Sequence, residues 1–101
     1  MIDSEKILAL AAEELADANT KHPPTFNSMH EAYAVIKEEV EEMNSDMEYM
    51  KHHFEVAWNL VKKDGDCTDC IERTKQFAIS AVQEAIQVIA MCDKALNSTE
   101  K

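Results

Sequence analysis

Apolar residues recur along this chain at helical spacing in three stretches, parted by two short polar breaks. The first stretch runs from about residue 3 to 18. Ile7, Leu8, Leu10, Ala11, Leu15 and Ala18 supply its apolar face, and Asp3 or Ser4 can cap it. The first break holds His22-Pro23-Pro24, where consecutive prolines remove amide donors and restrict the residue before them. Phe26 in this loop either tucks against the core or lines a pocket. The second stretch spans about 28 to 62. Ser28 and Glu31 stand in the spacing of a capping box, which sets its start. Ile36, Val40, Met43, Met47, Met50 and Phe54 then follow at alternating spacings of four and three, one apolar stripe along a helix. Lys62-Lys63-Asp64-Gly65 stops it, with the only glycine at the place where a left-handed residue closes a helix.

The third stretch runs from about 68 to 96, capped by Asp66 or Thr68. Its apolar residues, from Phe77 to Cys92, cover most of the helix circumference, so it needs cover on several sides. Three helices from one chain hardly provide that. The pattern therefore predicts a single all-α domain over residues 1–101: a helical bundle of three to four antiparallel helices, completed by oligomerisation. Residues 97–101 read as a polar tail.

Charge narrows the partners. The 101 residues carry 20 acidic and 10 basic side chains, a formal net charge of −10. No basic stripe is available to displace counterions from a nucleic acid, and an anionic membrane surface would repel the chain. No apolar run approaches the roughly 18–20 residues of a membrane-spanning helix. The N-terminus lacks the basic and apolar regions of a signal peptide, and three cysteines are an odd number, so the expected compartment is the cytoplasm.

The acids are not evenly spread. Glu38, Glu39, Glu41 and Glu42 fall within five residues of the second stretch. Glu38 and Glu42 are one turn apart, and Glu39 and Glu42 are neighbours at i,i+3. Like charges so placed repel by roughly 0.2–0.5 kcal/mol per exposed pair. A hard divalent cation such as Mg²⁺, with Mn²⁺ as the alternative, removes that penalty because it takes carboxylate oxygens as ligands. A solvated acidic face is the plainer reading of the charge alone. The position of Glu39 and Glu42 beside the apolar stripe favours the site. On the last helix Glu84 and Gln87 are again i,i+3, and Glu84 has apolar neighbours, where a carboxylate is paired, metal-bound or protonated. Lys94 lies two turns beyond Gln87, and Arg73 three turns before Glu84. A cleft between the two helices could hold Mg²⁺ and a polyphosphate.

The segments His30-Glu31-Ala32-Tyr33-Ala34-Val35-Ile36-Lys37-Glu38-Glu39-Val40-Glu41-Glu42 and Gln83-Glu84-Ala85-Ile86-Gln87-Val88-Ile89-Ala90-Met91 resemble the MazG-like all-α nucleoside triphosphate pyrophosphohydrolases. The resemblance covers residues 26–96. It implies a homodimeric or homotetrameric bundle that cleaves (d)NTPs to a nucleoside monophosphate and pyrophosphate with Mg²⁺. It places Glu38, Glu39 and Glu42 on the first metal motif and Glu84 on the acid that opens the second. Gln87 stands where that motif has Asp: its amide oxygen can ligate a metal but brings no charge. Either Glu38 or Glu39 would serve as the base that takes a proton from water. Lys94 would meet phosphate oxygens, and the nucleobase would stack on Trp58, Phe54, Tyr33 or Phe26, with Trp58 first among them.

Two further constellations are weighed and set lower. Cys67-Thr68-Asp69-Cys70 with His52 and His53 has the composition of a zinc site, but one CxxC without a second pair reads more simply as two thiols at a helix start. A di-iron bundle needs Glu-x-x-His pairs, which are absent. The competing function is a catalytically weak or inactive acidic helical module that binds a nucleotide or a partner protein, with Gln87 as its mark.

Overall fold

The computed structural model describes residues 1–99, and these form three helices with no strand among them. Helix α1 spans Ser4–Lys21, α2 Met29–Val61 and α3 Thr68–Ser98.

Each helix starts on a side-chain cap. Asp3 Oδ1 accepts from the Lys6 amide at 3.0 Å, which fixes the first turn of α1. Ser28 Oγ accepts from the Glu31 amide at 3.1 Å, as the capping-box spacing requires. The return arm differs from the expected box. Glu31 reaches past Ser28 and accepts from Asn27, from its backbone amide at 3.3 Å and from its side-chain amide at 3.2 Å. Asp66 Oδ1 accepts from the Thr68 amide at 2.9 Å and the Thr68 hydroxyl at 2.6 Å, while the Cys67 carbonyl takes the Ile71 amide at 3.0 Å. These two bonds hold the Asp66 carboxyl below its ordinary value of 3.8.

The helix ends correct three expectations. Helix α1 continues three residues beyond Ala18, to Lys21, and stops where the His22 amide donates to the Ala18 carbonyl ahead of the proline pair. The end of α2 closes with Gly65 N–H on the Leu60 carbonyl at 2.8 Å and Asp64 N–H on the Val61 carbonyl at 3.1 Å. The left-handed residue of this closure is Asp64, with φ 54°, not Gly65. Gly65 instead avoids a tight approach, because a Cβ there would stand 3.3 Å from the Leu60 carbonyl oxygen. The residues read as a polar tail are also partly ordered: Asn97 and Ser98 belong to α3, and positions 100 and 101 lie outside the described residues.

The described chain divides into two compact units. One comprises Met1–Val40 with α3 from Glu84 onward. Its most buried residues are small: Ala11 on α1, Ala32 on α2, Ala90 and Ala95 on α3. Small residues on all three helices let the backbones approach closely. Of the expected α1 face, Ala11 is buried and Ile7, Leu15 and Ala18 half-buried, while Leu8 and Leu10 are exposed. The other unit, Glu41–Gln83, is the α2–α3 hairpin, and Ala57 and Cys70 are its buried residues. Phe77 stacks there on Tyr49 (centroids 5.2 Å apart) and on His53 (5.5 Å), and the Ser80 hydroxyl donates to Asp46 at 2.8 Å.

The covered stripe of α2 is rotated from the expected one. Ile36, Met43 and Met50 are half-buried as expected, but Val40, Met47 and Phe54 are exposed. Glu39, Asp46 and His53 take the intervening positions instead. Among the described residues no large side chain is fully buried, and no helix is long and apolar enough to cross a membrane.

Candidate metal centre and adjoining cavity

Carboxylates from α2 and α3 meet. Glu39, Glu42 and Glu84 each offer one oxygen, and these oxygens all lie within 4.8 Å of one another. Glu39 and Glu84 belong to the first unit, and Glu42 follows Glu39 by three residues on the same uninterrupted helix. Glu39 and Glu84 are half-buried and Glu42 is exposed. Oε2 of Glu39 is buried and accepts no hydrogen bond, and Oε2 of Glu84 is buried as well. Leaving a buried carboxylate oxygen unmatched is costly, and clustering like charges adds to the cost. Three converging carboxylate oxygens are the donor set of a hard cation, so these residues fit a divalent metal. Among the described residues this is the one group of three or more candidate ligands. Cys67 and Cys70 are not brought together with His52 or His53 in such a group.

Glu39 also lines an open cavity of about 480 Å³ within the first unit. Gln87 and Lys94 of α3 line it, with Phe26 and Asn27 from the loop and Glu31 from the start of α2. Its volume falls in the range that takes small organic ligands. Lys94 is only 5% exposed, and its ammonium sits 4.6 Å from the centroid of the Phe26 ring. The loop is pinned to the same turn of α3: the Phe26 amide donates to Ser98 Oγ at 2.9 Å, and that hydroxyl donates to the Lys94 carbonyl at 2.8 Å. A buried cation held on an aromatic face beside a cavity can receive an anionic group.

The remaining candidates separate. Glu38 is exposed on α2 and stands outside the three-glutamate group, one turn from Glu42. Gln87 is half-buried at the cavity wall, one turn from Glu84. Trp58 is 59% exposed near the end of α2, with Lys62 over its ring at 5.7 Å, and it does not line the cavity. Phe54 and Tyr33 are exposed too, so of the four aromatics considered Phe26 is the one at the cavity. Arg73 is engaged by Asp69 at 3.0 Å.

Comparisons with protein families, with characterised proteins and with solved structures find no match to this chain. Of the two places the sequence offered for Phe26 the structure shows the pocket wall, while Asn27 and its tie to Glu31 were missed. The capping-box spacing hinted that Glu31 would turn back there.

Proposed function

We propose that this chain is a Mg²⁺-dependent nucleoside triphosphate pyrophosphohydrolase, which cleaves (d)NTP to (d)NMP and pyrophosphate as a homodimer or homotetramer. The observation that carries the reading is the convergence of Glu39, Glu42 and Glu84, with the Glu39 Oε2 buried and unmatched. These three would hold the cation, with Gln87 one turn from Glu84 as an uncharged fourth ligand. Bound there, Mg²⁺ supplies charge that offsets the polyphosphate and acidifies water.

The chain's own residues supply the rest. Lys94 attracts phosphate oxygens at the cavity, and its burial strengthens that attraction relative to a surface lysine. Phe26 presents a ring at the same wall and replaces Trp58 as the platform for a base. With Glu39 in the ligand group, the exposed Glu38 is left as the base that takes a proton from water. The apolar surface left on α2 and α3 supports assembly with further copies.

Purified protein incubated with a panel of (d)NTPs and Mg²⁺ should release pyrophosphate. Glu39→Gln should lower that release by at least about 10–100-fold while the helical content stays unchanged. The second reading, an acidic module that binds a nucleotide or partner without turnover, rests on Gln87 replacing a charged ligand. No release from any nucleotide, together with a nucleotide-induced rise in Tm, would establish it instead.

A further inference from the structure

Cys67 and Cys70 take no part in the site proposed above, yet they hold a specific place in the fold. The Cys67 carbonyl accepts the Ile71 amide at 3.0 Å, so Cys67 is the residue from which α3 begins and Cys70 lies within its first turn. In helical geometry residues three apart have Cα atoms about 5 Å apart. That lies inside the roughly 4.4–6.8 Å that a disulfide spans. Both thiols are free, Cys67 partly exposed and Cys70 buried at 9% exposure. The neighbouring carboxylates are engaged elsewhere, Asp66 by Thr68 and Asp69 by Arg73, and among the described residues no third ligand joins the sulfurs. The pair is therefore left to thiol chemistry.

We propose that Cys67 and Cys70 form a reversible redox staple at the start of α3, closed by small-molecule disulfides of the glutathione class. The sulfur of the partly exposed Cys67, as thiolate, attacks one sulfur of glutathione disulfide and expels one glutathione thiolate, which takes up the proton Cys67 lost. Cys70, as thiolate, then attacks the Cys67 sulfur of the mixed disulfide and expels the second glutathione. The two protein thiols lose two electrons and two protons, and one glutathione disulfide becomes two thiols. The first turn already holds the pair at bridging separation, so closure requires little backbone movement.

The full chain, equilibrated with mixtures of reduced and oxidised glutathione, quenched with acid, alkylated and digested with trypsin, gives the test. The peptide running from Asp64 to Arg73 carries both cysteines, and Cys92 falls on another. As the oxidised share rises, the first peptide should lose both alkyl labels and two hydrogens in mass, while Cys92 stays labelled. In Cys70→Ser the reaction should stop at glutathione on residue 67. Labels retained on both cysteines at every ratio, a persistent glutathione adduct in the unsubstituted chain, or a bridge to Cys92 would each overturn the proposal.

Discussion

Asp64 carries a left-handed backbone, φ 54°, at the point where α2 closes. That conformation costs an L-residue roughly 1 kcal/mol, although aspartate tolerates it better than most. Its carboxylate also stands at the negative end of the helix dipole, an unfavourable place for an anion. Asp64→Gly should therefore raise stability by roughly 0.5–1 kcal/mol, and Asp64→Asn by less, read as Tm in thermal melts. Gly65→Ala should lower it, since the added Cβ meets the Leu60 oxygen at 3.3 Å. The reverse order would show that the closure is not set by these two residues. The Asp66 carboxyl makes stability at the start of α3 depend on pH. Its folded value lies below the ordinary 3.8, because Thr68 donates two hydrogen bonds to the ionised form. The stabilisation is thus fully present above the unfolded value and is lost as pH falls through the folded one. Thr68→Val removes the hydroxyl donor. Urea titrations of that variant should show a shallower loss of stability on acidification than the unsubstituted chain.

The covered face of α2 explains what could and could not be read from its sequence. Ile36, Met43, Met50 and Ala57 form one row at heptad spacing, and two rows flank it. One flank is apolar: Val40, Met47, Phe54, Val61. The other is mostly polar: Glu39, Asp46, His53, with Leu60. Apolarity alone selects the first flank, whereas the fold covers the second. What decides is chemistry on α3, invisible to a pattern count on α2: Ser80 answers Asp46 and Phe77 stacks on His53. The helices and their caps were legible because capping is local. The meeting of Glu39 and Glu42 with Glu84 was legible because acids at i,i+3 on one helix and another acid among apolar neighbours both ask for a partner. The exposure of Glu38 and Trp58 was not legible, since it depends on how α2 is rotated. Asp46→Ala and Ser80→Ala should show a coupling of about 1–2 kcal/mol in a double-mutant cycle, and additive effects would refute the bond as a determinant of rotation. Glu39→Gln should raise Tm without metal, by relieving like-charge repulsion, and should abolish any rise on adding Mg²⁺. A metal-dependent rise that survives the substitution would exclude Glu39 as a ligand.

At the scale of the molecule, what the single chain leaves uncovered is the issue. No large side chain is fully buried among the described residues, whereas small domains depend on burying such groups to offset chain entropy. Meanwhile Tyr33, Val40, Met47, Phe54 and Val61 form an exposed row along α2, and Ile79 and Val82 are exposed on α3. Covering a row of this kind in a second copy would supply the burial that one chain lacks, and symmetric pairing is the commonest way to do so. Sedimentation should accordingly find a dimer or tetramer, and Tm should rise with protein concentration, as it must when assembly stabilises the fold. Phe54, at 61% exposure, stands clear of the chain's own interior. Phe54→Glu should then leave an isolated chain unharmed but shift the sedimentation toward monomer, and remove the concentration dependence of Tm along with it. Ser45→Glu, at an exposed polar position of the same helix, adds the same charge outside the row and should do neither. A monomer whose Tm is independent of concentration before any substitution would mean that the thin core suffices, and that the row on α2 serves something other than a second copy.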